Sequence, residues 1–193
     1  MILASQSPRR IQLMKEAGFD VRVMPADIDE TPLEGEAPFA LVERLARAKA
    51  AALAEQAAPG EIIVAADTIV TFRGDILGKP HDAQGARRML RELSGQTHQV
   101  ATGACVLKAA EPEVYCAAVN ESFVTVTDVT FYDLTDAEID AYVVTGDPLD
   151  KAGAYGIQSA GGRMLVKGVK GDYYNVVGLP IAAVARKIRA LSR

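Results

Sequence analysis

Cysteine and histidine are scarce in this chain, two of each in 193 residues. Cys105 and Cys116 are too few for a disulfide framework or a four-thiolate zinc site. His81 and His98 stand far apart in sequence, which argues against a histidine-rich metal cage. Long apolar runs are missing too. The longest, such as Ile62 to Ala66 and Tyr115 to Val119, have five residues, where a membrane span needs ~20. The opening Met1-Ile2-Leu3-Ala4-Ser5 has neither a basic stretch nor a long apolar core, so no secretory leader is expected. A reducing, cytoplasmic home is expected instead. Nor is there a basic excess: 21 Lys and Arg stand against 25 Asp and Glu, for a net charge of −4. That balance gives no support to a nucleic-acid coat and leaves room for a local basic pocket.

What is present is an ordinary globular balance, 49% hydrophobic and 24% charged. A chain this long buries roughly 70% of its unfolded surface and needs no disulfide or metal to fold. No repeat and no low-complexity linker divides it, so residues 1–193 read as a single domain, with room for a small lobe.

The pattern predicts a short strand at Ile2–Ala4, then a helix opening at Pro8 behind a serine and closed by Gly18. A strand over Phe19–Met24 and a carboxylate-rich loop from Pro25 to Pro38 follow. An alanine- and leucine-rich helix is expected from about Pro38 to Gln56. Ile62–Phe72 is the most apolar strand; a turn at Arg73-Gly74-Asp75 leads to a short strand at Ile76–Leu77. Asp82 caps a helix ending near Leu93. Strands are expected at Thr97–Leu107 and Ser122–Phe131, the second half-exposed and antiparallel because valines and threonines alternate in it. Ala109 to Asn120 looks like a variable hairpin. Thr135 to Glu138 is a capping box. Gly153 and Gly156 mark a loop, Met164–Lys167 a last strand and Ile181–Leu191 a last helix. The order implies a mixed sheet flanked by helices.

Four places break local rules, as functional sites do. In Ser5-Gln6-Ser7-Pro8-Arg9-Arg10 a strand ends and a helix opens, with two arginines against the helix dipole; an anion there would relieve the charge. The alternative is a solvated helix start. Asp67-Thr68 interrupts the most apolar strand, where an unpartnered carboxylate would cost several kcal/mol. A metal ion or a bound water would supply the partner, or the backbone would at a bulge. Lys49 falls on the apolar stripe of Val42, Leu45 and Leu53, from which it either reaches a phosphate or snorkels to solvent. Lys79, in Gly78-Lys79-Pro80, is a similar cation on a tight turn. The acidic loop Asp27-Ile28-Asp29-Glu30 either contributes to a Mg2+ site or is merely solvated. Gln158, ending Gly153-Ala154-Tyr155-Gly156-Ile157-Gln158, either reads a base edge or satisfies a loop. His98 and Cys105 read as packing residues, and no serine–histidine–aspartate triad stands out.

Six segments stand out together: Ile2 to Arg10, Ala66 to Val70, Gly78 to Pro80, Ser94 to His98, Asp150 to Gln158 and Val177 to Pro180. Taken together they resemble the Maf family of nucleotide pyrophosphatases. They run in family order over nearly the whole chain. The resemblance implies an elongated mixed sheet with flanking helices and a central cleft, similar to inosine triphosphate pyrophosphatases. It implies hydrolysis of a nucleoside triphosphate to monophosphate and pyrophosphate, assisted by a divalent cation, Mg2+ or Mn2+, held by Glu30 and Asp67. Asp67 would be the proton acceptor; Ser7, Arg10, Lys49 and Lys79 would bind phosphate. Arg9, Thr68 and Gln158 match the branch that acts on dTTP and UTP, whereas the sister branch preferring 7-methyl-GTP has Trp, Gln and Glu there. Modified pyrimidines fit the same positions, and a homodimer is one assembly the resemblance allows. Cellular roles implied are housecleaning of nucleotides or arrest of cell division. The rival reading is a non-catalytic nucleotide-binding regulator of septum formation, which would have no need of Asp67 and Glu30 beside a triphosphate.

Overall fold

A computed structural model describes residues 1–111 and 118–192. The strands are β1 (Ile2–Leu3), β2 (Arg22–Val23), β3 (Ile62–Phe72), β4 (Asp75–Leu77), β5 (Thr97–Lys108), β6 (Val119–Phe131) and β7 (Val166–Lys170). The helices are α1 (Pro8–Glu16), α2 (Pro38–Ala51), α3 (Ala83–Leu93), α4 (Asp136–Val143), α5 (Gly162–Leu165), α6 (Tyr173–Val177) and α7 (Ile181–Leu191). The strands form one mixed sheet in the order β2-β1-β3-β5-β6-β7, with β4 added to β3. β1 runs parallel to both β2 and β3, while β3–β4 and β6–β7 are antiparallel. The expected α/β class, a mixed sheet with flanking helices, is therefore what the chain adopts. Among the described residues, no helix is long and apolar enough to cross a membrane.

Several local expectations hold to the residue. Asp82 caps α3, its Oδ1 accepting from the Gly85 N–H at 2.6 Å. Thr135 and Glu138 form a reciprocal capping box at α4. Others shift. The strand expected at Phe19–Met24 shrinks to Arg22–Val23, because the Phe19 N–H still closes α1 by donating to the Met14 carbonyl. α2 stops at Ala51, and Ala54–Gln56 forms a separate tight turn. The strand expected at Met164–Lys167 begins instead at Val166. The preceding residues make the helical turn α5, which buries Leu165 and leaves Met164 exposed. α6 carries too few residues to show a period. The hairpin expected across Ala109–Asn120 has its centre, Cys116 included, outside the described residues.

The chain packs as two compact units. The first comprises Met1–Asp67, Thr102–Thr125 and Gly178–Arg193. Its core joins Ile2, Ala4, Ile63, Ala65, Cys105 and Leu107 from the strands to Ala46, Ala50 and Leu53. The alanines of α2 let that helix lie close on the sheet. At Gly103 the approach is closest: a Cβ there would sit 2.2 Å from the Val42 carbonyl oxygen. Burial pushes the Cys105 thiol up to about 11, so it behaves as a small packing group.

The second unit comprises Thr68–Ala101 and Val126–Val177. Three rings meet edge to face at its centre: His98–Phe131 at 5.0 Å, His98–Tyr155 at 5.3 Å and Phe131–Tyr155 at 4.8 Å. The Tyr155 hydroxyl lies 2.8 Å from His98 Nε2. Burial lowers the His98 pKa from 6.5 to about 4, so the ring is neutral. β6 does alternate, but with Thr127 inside and Val126 outside. Thr127 affords its burial because its hydroxyl donates to the Asp172 carbonyl (3.0 Å) and accepts from the Asn175 amide (2.9 Å).

Two predictions follow from this packing. Gly103→Ala drives a methyl into helix backbone that has nowhere to move, and should lower unfolding stability by about 3 kcal/mol in urea titration. An unfolded His98 takes its proton near 6.5 and the folded one only near 4. Stability therefore falls as pH drops through that window, by about 2 kcal/mol between pH 7 and pH 5 from this residue alone. A His98→Leu variant should show a correspondingly flatter dependence of stability on pH.

Candidate active site

β3 places Asp67 where its apolar run opens. Of the eleven residues of the strand, only Asp67 and Thr68 escape full burial. α2 brings Lys49 to the same point. Its stripe of Val42, Leu45 and Lys49 faces inward, and Lys49 stays 8% exposed rather than snorkelling out. The ammonium meets two carboxylates, Asp67 Oδ1 at 2.7 Å and Glu30 Oε1 at 2.6 Å. A buried lysine needs such partners, and two carboxylates converging on one point need a cation. The residues expected to hold metal and one expected to bind phosphate thus form a single charged triad.

Glu30 lies on a long polar loop, and the loop is held by a residue the sequence reading did not single out. Arg44 on α2 grips Glu36 with both arms of its guanidinium, Nε to Oε1 at 2.6 Å and a terminal nitrogen to Oε2 at 2.8 Å. The same arginine donates to the Thr31 carbonyl at 3.1 Å. That grip holds the Glu36 carboxyl down at about 2. Asp29 accepts from the Thr31 N–H at 2.9 Å and tightens the turn just past Glu30. The signal for Arg44 was present, an arginine eight residues beyond Glu36, but no spacing rule links a loop residue to a helix face.

Ser7 precedes α1 as its capping residue, although its side chain makes no capping bond. Arg10, one turn in, reaches back across the first unit. Its Nε donates to the Gly178 carbonyl at 2.7 Å; a terminal nitrogen donates to the Ala66 carbonyl at 2.8 Å and the Ser5 hydroxyl at 3.2 Å. Burial lowers its pKa, while the nearby charges of Asp67 and Glu30 pull the other way. Arg10 therefore ties three chain segments together beside Asp67, a structural duty beyond the phosphate contact expected of it. Arg9 is half-buried on the same helix turn. The first unit in this way gathers Ser7, Arg9, Arg10, Glu30, Lys49 and Asp67.

The second unit carries Thr68, Lys79 and Gln158. Lys79 is exposed, on the turn after β4, where the Gly78 carbonyl accepts from the Gly153 N–H at 3.1 Å. That bond joins the Lys79 turn to the glycine loop carrying Gln158. Gln158 is half-buried, and its carbonyl accepts from Arg163 at 2.7 Å. Beneath the loop lies a polar cluster that sequence reading missed. Lys151 is 8% exposed, and its ammonium reaches Asp147 Oδ1 (2.9 Å) and Asp150 Oδ1 (2.6 Å). The other Asp147 oxygen accepts from the Tyr142 hydroxyl at 2.5 Å. Burial, then Asp147, pushes the Tyr142 phenol up to about 12.

The donor set fits a hard divalent cation. Glu30 and Asp67 already converge on one positive group, and Mg2+ takes one or two protein carboxylates with waters and phosphate oxygens completing its shell. No group of three histidine, cysteine, aspartate or glutamate side chains capable of holding a metal occurs among the described residues.

Residues 1–191 match the family model described as Maf-like protein. A dTTP/UTP pyrophosphatase of Anaeromyxobacter dehalogenans (strain 2CP-C) is 51% identical over 189 residues, covering 98% of this chain and 92% of that protein. Another of that name, from Latilactobacillus sakei subsp. sakei (strain 23K), is 50% identical over 190 residues, covering 97% and 98%. Among solved structures, the Staphylococcus aureus Ham1 protein aligns with a TM-score of 0.49 at 16% identity, over 96% of this chain and 98% of that one. With a family match that begins at the first strand and ends in the last helix, and relatives at half identity over nearly their full length, this chain belongs to the Maf family.

Proposed function

We propose that this chain hydrolyses dTTP and UTP to the nucleoside monophosphate and pyrophosphate. The observation that carries the reading is the triad of Lys49, Asp67 and Glu30, two carboxylates 2.6–2.7 Å from one ammonium, at the one opening in an otherwise buried strand. The name dTTP/UTP pyrophosphatase, borne by relatives at half identity, supports the substrate class.

The chemistry needs a water at the α-phosphorus, a base for its proton and positive charge for the oxygens. Asp67 is the base. Its carboxylate is fixed by Lys49, so it accepts the proton of the attacking water with no side-chain search. The water oxygen bonds to the α-phosphorus as the bond to the bridging oxygen breaks and pyrophosphate leaves. Glu30 and Asp67 would hold Mg2+ or Mn2+, which when bound would neutralise phosphate oxygens and lower the pKa of water. Lys49, Arg10, Lys79 and Ser7 supply the remaining phosphate contacts, and the two cations already held by their own partners, Lys49 and Arg10, cost little reorganisation in the transition state. Arg9, Thr68 and Gln158 select the pyrimidine. The Gln158 amide matches the adjacent carbonyl and N–H of uracil or thymine.

Pyrophosphate release from a panel of dTTP, UTP, CTP, purine triphosphates and 7-methyl-GTP tests this. Turnover should be confined to dTTP and UTP and fall about a hundredfold or more in Asp67→Asn, with the fold intact by thermal melting. Near-full turnover in that variant would sink the base assignment, and preference for 7-methyl-GTP would overturn the specificity reading. Chelation by EDTA should abolish turnover, and Mg2+ or Mn2+ alone should restore it. Turnover that persists in EDTA would remove Glu30 and Asp67 from a metal-holding role.

A further inference from the structure

A glutamine amide is a poor discriminator by itself. Its oxygen accepts and its nitrogen donates, and rotating the amide by half a turn exchanges the two. In one orientation it pairs with the carbonyl and N–H of uracil or thymine. In the other it pairs with the ring nitrogen and amino group of cytosine. Preference for uracil over cytosine therefore depends on what holds the amide and the backbone that presents it.

The second unit has a device for this. The segment Gly156-Ile157-Gln158 is pinned along its length. The Gly156 carbonyl accepts from the Ser159 N–H (3.0 Å) and the Ser159 hydroxyl (2.8 Å), and Ile157 is buried. The Gln158 carbonyl accepts from Arg163. The Gly156 N–H has a different kind of partner: it donates to the hydroxyl of Tyr142, fourteen residues away, at 3.1 Å. That hydroxyl has its own proton committed to Asp147 Oδ2. Asp147 is in turn held by Lys151 through its other oxygen and its backbone carbonyl, the latter at 2.5 Å. The phenol oxygen therefore has only lone pairs left to present, and it presents them to the Gly156 N–H and the Ser159 hydroxyl. The Lys151 stem passes beneath the same residue. A Cβ on Gly156 would lie 2.6 Å from Lys151 Cε and 3.5 Å from the Gln158 amide nitrogen. The amide rests against the glycine that Tyr142 holds from below.

On the reading that Gln158 meets the base, we propose that Tyr142, oriented by Asp147 and Lys151, is the positioning residue that makes Gln158 select uracil and thymine over cytosine. It touches no substrate and acts through the Gly156 peptide.

Steady-state kinetics on Tyr142→Phe, Gln158→Ala and the double variant test it, with dTTP, UTP and CTP as substrates and thermal melting as the control for folding. Tyr142→Phe should raise KM for dTTP and UTP about tenfold, change kcat by less than about threefold, and cut the preference over CTP about tenfold. Gln158→Ala should lose the same preference, and the double variant should lose little more, since both act through one contact. Asp147→Asn leaves ring and hydroxyl in place; it should shift the preference the same way by a smaller factor, and it serves if Tyr142→Phe does not fold. If Gln158→Ala alters the preference while Tyr142→Phe lowers only kcat or melting temperature, the positioning role is wrong and the base-reading role stands. If Gln158→Ala leaves the preference unchanged, the base-reading role falls and this one with it.

Discussion

A charge taken out of water must be met by another charge, and in the first unit that requirement organises the site. Lys49 sits among valine, leucine and alanine on a helix face pressed against the sheet. Its ammonium is tolerable there only because Asp67 and Glu30 reach it. The requirement runs outward from that point. Asp67 interrupts a strand that is otherwise buried. Glu30 must be delivered by a loop, so the loop is clamped by Arg44. Arg10 binds the Ala66 carbonyl next to Asp67 and keeps the middle of β3, the first helix and the chain at Gly178 in register. Remove the buried cation and the other three features lose their reason to be where they are.

The second unit solves a different problem, that of holding a glycine-rich loop still. Gly153 and Gly156 free the backbone for tight approach and at the same time raise the entropy lost on ordering it. The offset comes from groups outside the loop: the polar Tyr142 phenol, Ser159 hydroxyl and Arg163 guanidinium, and the aliphatic Lys151 stem. Below them the ring cluster of His98, Phe131 and Tyr155 anchors the segment through Tyr155. Polar clasps above and aromatic packing below make a rigid mount for a side chain that has to discriminate between similar bases.

Much of this was legible in the amino-acid order where a residue violates its surroundings. Asp67 in an apolar strand, Lys49 on an apolar stripe and the helix starts at Asp82 and Thr135 all announce themselves, because burial and capping have known costs and known spacings. What stayed hidden are partnerships with the backbone and between distant segments. Arg10 is occupied with the carbonyls of Ala66 and Gly178, and every residue has a carbonyl, so no residue type betrays the acceptor. Thr127 turns inward while Val126 turns out because Asp172 and Asn175 satisfy a hydroxyl some 45 residues away in sequence. Tyr142 looks like one more apolar position of a short helix until its hydroxyl is seen under Gly156. The six segments that resemble the family mark where chemistry is shared, and the clasps on Gly156 and the acidic loop lie partly or wholly outside them.

The sheet ends on one side with β2, only two residues long, and on the other with β7, which carries Lys167 and Lys170. A strand at a sheet's margin offers unpaired N–H and C=O groups to any extended segment that drifts past, including one from another copy of the same chain. Two residues give such a segment almost nothing to zip onto. Two ammonium groups within five residues make a like-charged neighbour repel its own image. Open-ended stacking of one molecule's margin on the next is thereby discouraged at both flanks, which lets the chain keep a long hydrophobic strand such as β3 in its interior without offering a seed for fibrils.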